Sequence, residues 1–129
     1  MRKSRRTLLD SFRDAFRGIR HCLRAERNMR VHLAATVAVI LLAVCLRVSR
    51  GELACLLLAI GMVTAAEAMN TAVERLCDFV EEKHNPRIGI IKDMAAGGVL
   101  LAAIFAAAMG ATIFLPPVFE WISVLQRYI

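Results

Sequence analysis

Residues 94–115 run for 22 positions without a charge, and very few folds accept such a segment. About 20 mostly apolar residues in a helix cover the ~30 Å hydrocarbon core of a bilayer. The segment therefore reads as a transmembrane helix, with Pro116-Pro117 ending it. Two further apolar segments precede it. Residues 31–46 are apolar apart from His32 and Thr36; they are short for a span, so the flanking arginines are expected to snorkel. Residues 53–76 are apolar from Leu53 to Ala66 and continue helically into Glu67, Asn70, Glu74 and Asp78. A polar turn at 47–52 separates the first two spans, and a mixed loop at 79–91, broken by Asn85-Pro86, separates the last two.

Composition sharpens this reading. Hydrophobic residues make up 58% of the chain and charged residues 22%, which is possible only if the two classes are kept apart along it. A mean hydropathy of +0.57 excludes a disordered chain, a coiled coil and a disulfide scaffold, and argues against an ordinary soluble domain. The net charge of +6 is concentrated at one end. Ten arginines and lysines, among them Arg17, lie within residues 1–30 with only three acids. Because hydrophobic spans follow, the expected partner is an anionic membrane face rather than nucleic acid.

Within that segment, residues 7–25 place Leu8, Phe12, Phe16, Ile19 and Leu23 on one helical face and Arg13, Arg17, Arg20 and Arg24 on the other. This is the pattern of a helix lying on the membrane surface. It lacks the continuous apolar core of a signal peptide. Basic residues collect on the cytoplasmic side of spans, so the N-terminus is expected in the cytoplasm. The 79–91 loop, with Lys83 and Arg87, then lies on the same side, and the tail at 116–129 lies outside. Trp121 and Tyr128 in that tail suit an interfacial belt. The expected fold is all-α and membrane-embedded: one domain over 1–129, with a surface helix, three spans (31–46, 53–76, 94–115) and an interfacial tail. Cys22, Cys45, Cys55 and Cys77 form no CxxC pair and read as small buried hydrophobes. Gly97, Gly98 and Gly110 among alanines suggest close helix packing.

Glu67, Asn70, Glu74 and Asp78 are spaced three, four and four apart. A helix puts all four on one face over about 16 Å. An ionised acid as deep as Glu67 costs at least ~2.5–3.5 kcal/mol in a span, so it must face a polar interior. Lys92-Asp93 opens the third span and Glu26-Arg27-Asn28 precedes the first, placing carboxylates, an amide and a cation at one cytoplasmic depth. That set suits phosphoryl transfer from a nucleotide to a lipid. Carboxylate oxygens hold Mg²⁺, a lysine contacts phosphate, and a deeper carboxylate takes a hydroxyl proton. The plainer alternative is helix-bundle glue or a proton path. No GxxxxGK[ST] loop or kinase Gly-rich loop occurs.

Residues 67–78, EAMNTAVERLCD, resemble the E-x-x-N-T-A-[IV]-E-x-x-x-D signature of the bacterial integral-membrane diacylglycerol kinase family. Ile91-Lys92-Asp93-Met94-Ala95-Ala96-Gly97 is similar to that family's second motif. The resemblance covers about residues 10–113 and shares the plan of a surface helix and three spans. It implies a homotrimeric, multi-pass enzyme of the bacterial inner membrane. That enzyme transfers the γ-phosphate of Mg-ATP to a lipid alcohol, with active sites between subunits. By position, the resemblance makes Glu67 the general base and gives Glu26 and Glu74 to Mg²⁺. Asn70 and Asp78 position the site, Lys92 contacts the ATP phosphates with Asp93 nearby, and Arg17 takes a place on the phosphate side. Residues 26–32, ERNMRVH, resemble the family's undecaprenol branch more than its diacylglycerol branch, so undecaprenol is the expected acceptor and diacylglycerol the alternative.

Two readings of other classes compete. A small oligomeric transporter or proton channel would use Glu67 as its carrier carboxylate, but has no use for Glu26 and Lys92-Asp93 at the same depth. A non-catalytic subunit that recruits partners through its basic N-terminus would tolerate loss of the whole stripe.

Overall fold

The computed structural model describes residues 7–126. Arg2, Lys3, Arg5 and Arg6 of the basic segment and the belt candidate Tyr128 lie outside the described residues. The described residues fold into α1 (Leu8–Ala25), α2 (Arg27–Cys45), α3 (Arg50–Val80) and α4 (Pro86–Gln126), with no strand among them. The chain is an all-α membrane protein. Helices α2, α3 and α4 are each long and apolar enough to cross a bilayer.

Local chemistry sets most of the helix ends. Thr7 and Ser49 each accept a hydrogen bond from the backbone N–H three residues on, and Asp10 and Glu52 accept from the cap backbones in return. Helix α2 closes in a Schellman turn: Arg47 N–H donates to the Val44 carbonyl and Val48 N–H to the Ala43 carbonyl. Arg47 takes the left-handed position at φ 53°, where glycine is usual.

Two boundaries differ from the sequence expectation. The break between the last two helices is confined to residues 81–85 rather than 79–91, because Pro86 starts α4 instead of interrupting it. Proline suits the first helical position, where its missing N–H is not needed, and Asn85 Oδ1 accepts from Arg87 N–H at 3.0 Å. Nor does Pro116-Pro117 end the last helix, which continues to Gln126. Stopping at Leu115 would leave four carbonyls without donors in an apolar setting. Continuing leaves without a helical donor only Thr112 and Ile113, whose partners would be the proline nitrogens. The continuation carries Glu120 alongside Arg47 and Glu52, which line a small recess of about 200 Å³ with the two prolines.

Helix α3 is the hub, packing along α4 and more lightly against α2. The buried core is small. Ala43, Leu56 and Ile113 meet near the α2–α3 turn, flanked by Val39, Val48, Leu53, Met109 and Phe114. Most large apolar side chains point outward, Leu58 and Phe105 among them, an arrangement that suits surroundings of hydrocarbon or of another apolar protein surface. The apolar face of α1 (Leu8, Phe12, Phe16, Ile19) is equally bare, and no residue of α1 is buried. The glycines do not pack as expected. A Cβ on Gly97 or Gly98 would meet nothing within 4 Å, and one on Gly110 meets only Phe114 of its own helix. Of the four cysteines, all free, only Cys77 is buried; Cys45 and Cys55 are exposed on outward-facing apolar surfaces, where a weakly polar thiol is tolerated.

Candidate active site

The stripe on α3 forms as its spacing predicts, and its burial is graded. Glu67 is 3% exposed and Asn70 6%, Glu74 is half-buried and Asp78 is exposed. The stripe thus runs from the protein interior out to the C-terminal end of α3. Leu56, Ala59 and Val63 continue it on the other side as a buried apolar line. Thr71, also buried, joins the polar segment; sequence reasoning passed over it because threonine in an apolar helix carries no charge to flag it.

Hydrogen bonding within the stripe is incomplete. Asn70 Nδ2 donates to Glu74 Oε1 at 3.0 Å, the i,i+4 contact that a helix offers. Asn70 Oδ1 is buried and has no hydrogen-bond partner among the described residues. The Glu67 carboxyl group makes no hydrogen bond or ion pair with any described residue. Buried polar atoms are nearly always satisfied, so the enclosed, unsatisfied Asn70 Oδ1, one turn from an unbonded carboxylate, marks a place built to receive something else.

Two ion pairs bring the other elements to the outer half of the stripe. Lys92, near the start of α4, is salt-bridged to Asp78. Glu26, at the joint between α1 and α2, accepts from Arg75 Nη2 at 3.0 Å. Arg75 directly follows Glu74, so Glu26 lies within an arginine's reach of the turn that carries Glu74. Sequence reasoning missed Arg75 because it is off the stripe, and because Arg30, four residues after Glu26, is the cation that helical spacing would pair with that acid. Arg30 Nη1 donates to the Arg24 carbonyl at 3.1 Å and braces the same joint.

Two expected residues stay apart from this cluster within the chain. Arg17 is exposed and pairs with Asp14, one turn away on α1, at 3.4 Å. Asp93 is exposed, on a different face of α4 from Lys92. Among the described residues no three His, Cys, Asp or Glu side chains converge on one point. Helix α2 also lines an apolar groove of about 380 Å³ with α3 and α4, from His32 to Phe114, with Val63 and Thr64 one turn from Glu67.

A family model described as prokaryotic diacylglycerol kinase matches residues 13–114. The chain belongs to that family. The matched span contains Arg17, Glu26, the α3 stripe and Lys92-Asp93. Among relatives, an undecaprenol kinase of Bacillus subtilis is 39% identical over 106 residues, covering 82% of this chain and 86% of the relative. A diacylglycerol kinase of Synechocystis sp. is 40% identical over 111 residues, covering 85% of this chain but 63% of that longer protein. This member is a lipid kinase of the membrane, with a lipid and a nucleotide as substrates. The transporter and recruitment readings fall away.

Proposed function

We propose that the protein transfers the γ-phosphate of ATP to the terminal hydroxyl of undecaprenol, with Glu67 as general base. The observation that carries this is the graded stripe. Its buried end is an unpartnered carboxyl group beside an apolar groove, and its exposed end gathers a lysine, an arginine and three acids. A lipid alcohol meets the first end from the bilayer and a nucleotide meets the second from water. Undecaprenol is preferred over diacylglycerol because residues 26–32 read as its branch, and because the undecaprenol kinase relative is covered over most of its length.

In the reaction the lipid oxygen forms a bond to the γ-phosphorus as the bond to the β-phosphate oxygen breaks. ADP leaves, and the hydroxyl proton passes to the Glu67 carboxylate. The Asn70 amide holds Glu74 in line, and Lys92 exchanges Asp78 for phosphate oxygens. Asp93 and Arg17 belong to the nucleotide side.

The donor set fits Mg²⁺, a hard cation that takes oxygen ligands and is bound with nucleotides through one or two carboxylates plus phosphates rather than by a protein cage. Glu26 and Glu74 supply those carboxylates, and the orphaned Asn70 Oδ1 is a third oxygen nearby. When bound, the ion supplies neutralisation of charge on the phosphate oxygens.

The family resemblance supports a homotrimer, and a site shared between subunits accords with Glu67 and Asn70 Oδ1 finding no partner among the described residues of one chain. The basic N-terminus supports a cytoplasmic α1 on the inner membrane of a bacterium. The test is transfer of label from ATP by the purified protein in detergent with Mg²⁺, offered undecaprenol and diacylglycerol side by side. Preferential labelling of undecaprenol is expected, with none after chelation of the metal. If neither lipid is labelled while vesicles carrying the protein leak protons, the reading is wrong.

A further inference from the structure

Glu26 is the single residue between α1 and α2, serving as C-cap of one and N-cap of the other. Polar residues at an N-cap ordinarily turn the side chain onto the free N–H groups of the first turn, as Thr7 and Ser49 do for α1 and α3. Glu26 makes no such bond. Its carboxylate leaves its own helix and takes the Arg75 guanidinium, 49 residues away in the chain. The pair is only partly screened by water, with side-chain exposures of 28% for Glu26 and 48% for Arg75. It rests on one N–H···O contact at 3.0 Å, not the two parallel bonds that make an arginine–carboxylate pair strong.

We propose that Arg75 is a displaceable counter-ion, a positioning residue that holds Glu26 while the site is empty and yields it to the divalent cation arriving with the nucleotide. This rests on reading Glu26 as a metal-side acid. A monodentate, half-exposed guanidinium is held weakly, and a divalent cation competes well for the same oxygens. The positive charge of Arg75 weighs against a bare cation more than against one accompanied by phosphates, whose negative charge offsets it. Arg75 therefore makes loading of Glu26 depend on the nucleotide. Its position also makes the exchange felt elsewhere, since the pair is one of the ties between the α1–α2 joint and α3.

The test uses the full chain in detergent without lipid or nucleotide and Mn²⁺ as the probe, with free Mn²⁺ followed by electron paramagnetic resonance. R75Q is expected to bind Mn²⁺ roughly tenfold more tightly than the unaltered protein, from removal of one charge at near-contact distance in high dielectric. R75K should stay close to the unaltered protein. On an E26Q background the R75Q gain should vanish. Equal or weaker binding by R75Q, or the same gain without Glu26, overturns the proposal. Label transfer to lipid is measured on the same preparations. R75Q that labels lipid with unchanged Mn²⁺ affinity removes only the counter-ion role, whereas an unaltered protein that labels no lipid removes the kinase roles of both residues.

Discussion

Replacing Glu67 separates catalysis from stability in a way that the surroundings of this side chain make quantitative. Glu67 is a buried residue, and its carboxyl group has no hydrogen bond or ion pair with any described residue. Glu67→Gln keeps its shape and removes a charge that is costly to bury, so the variant should be at least as stable as the original. Turnover should fall by about 10²- to 10⁴-fold, because an amide cannot accept the proton; that is roughly 2.7–5.4 kcal/mol of barrier at ~1.36 kcal/mol per tenfold. Glu67→Leu goes further. It fills similar volume and removes a polar group that has no hydrogen bond among the described residues and is costly to hold in an apolar setting. The leucine variant should therefore be inactive and more stable than the original. Thermal unfolding in detergent, followed by circular dichroism, and label transfer on the same samples make the comparison. A leucine variant that unfolds earlier, in step with its loss of activity, would show that Glu67 is bonded into the bundle as cement. A glutamine variant with turnover within threefold of the original would refute the proton-acceptor role.

Two further outcomes follow from the helix ends. Arg47→Gly should stabilise the protein by a few tenths to about 1 kcal/mol, because the left-handed position at φ 53° costs an L-residue ~1–2 kcal/mol and the flexibility of glycine returns part of that; a lower unfolding temperature would contradict it. The Thr7 hydroxyl and backbone N–H both donate to the Asp10 carboxylate and hold its pKa below the ordinary aspartate value. Its contribution to the start of α1 is thus complete above that ordinary value and lost as pH falls through the depressed one. Hydrogen exchange in the first turn of α1 should rise over that acid range in the native chain and show no such step in D10N.

Much of this site is legible in the sequence, for a physical reason. In a membrane span every ionisable residue stands out, and helical spacing alone puts Glu67, Asn70, Glu74 and Asp78 on one face with the deepest acid first. The burial gradient agrees. Contacts between helices were less legible. Nothing local announces that Glu26 forgoes its cap for Arg75, or that Lys92 finds Asp78, because both pairings depend on how α2 and α4 lean on α3. The prolines misled in a consistent way. Each reads as a stop, yet Pro86 begins a helix that needs no N–H there. Pro116-Pro117 sits where ending the helix would strand more carbonyls than continuing it. Arg17 stays with Asp14, so a phosphate-side role for it needs a neighbour that one chain does not supply.

Helix α4 is 41 residues long, about 60 Å at 1.5 Å per residue, or twice the ~30 Å of a bilayer's hydrocarbon. No tilt brings the whole of it inside. One end is anchored, by Lys92 on Asp78 and by packing along α3. The other runs past two prolines that each remove a rung of the helical ladder. When the bilayer thins or thickens, a helix adjusts by tilting or bending, and here the compliant part is the end far from the lysine. The segment past the prolines can therefore take up a change in bilayer thickness while the end held by the Lys92–Asp78 pair keeps its place.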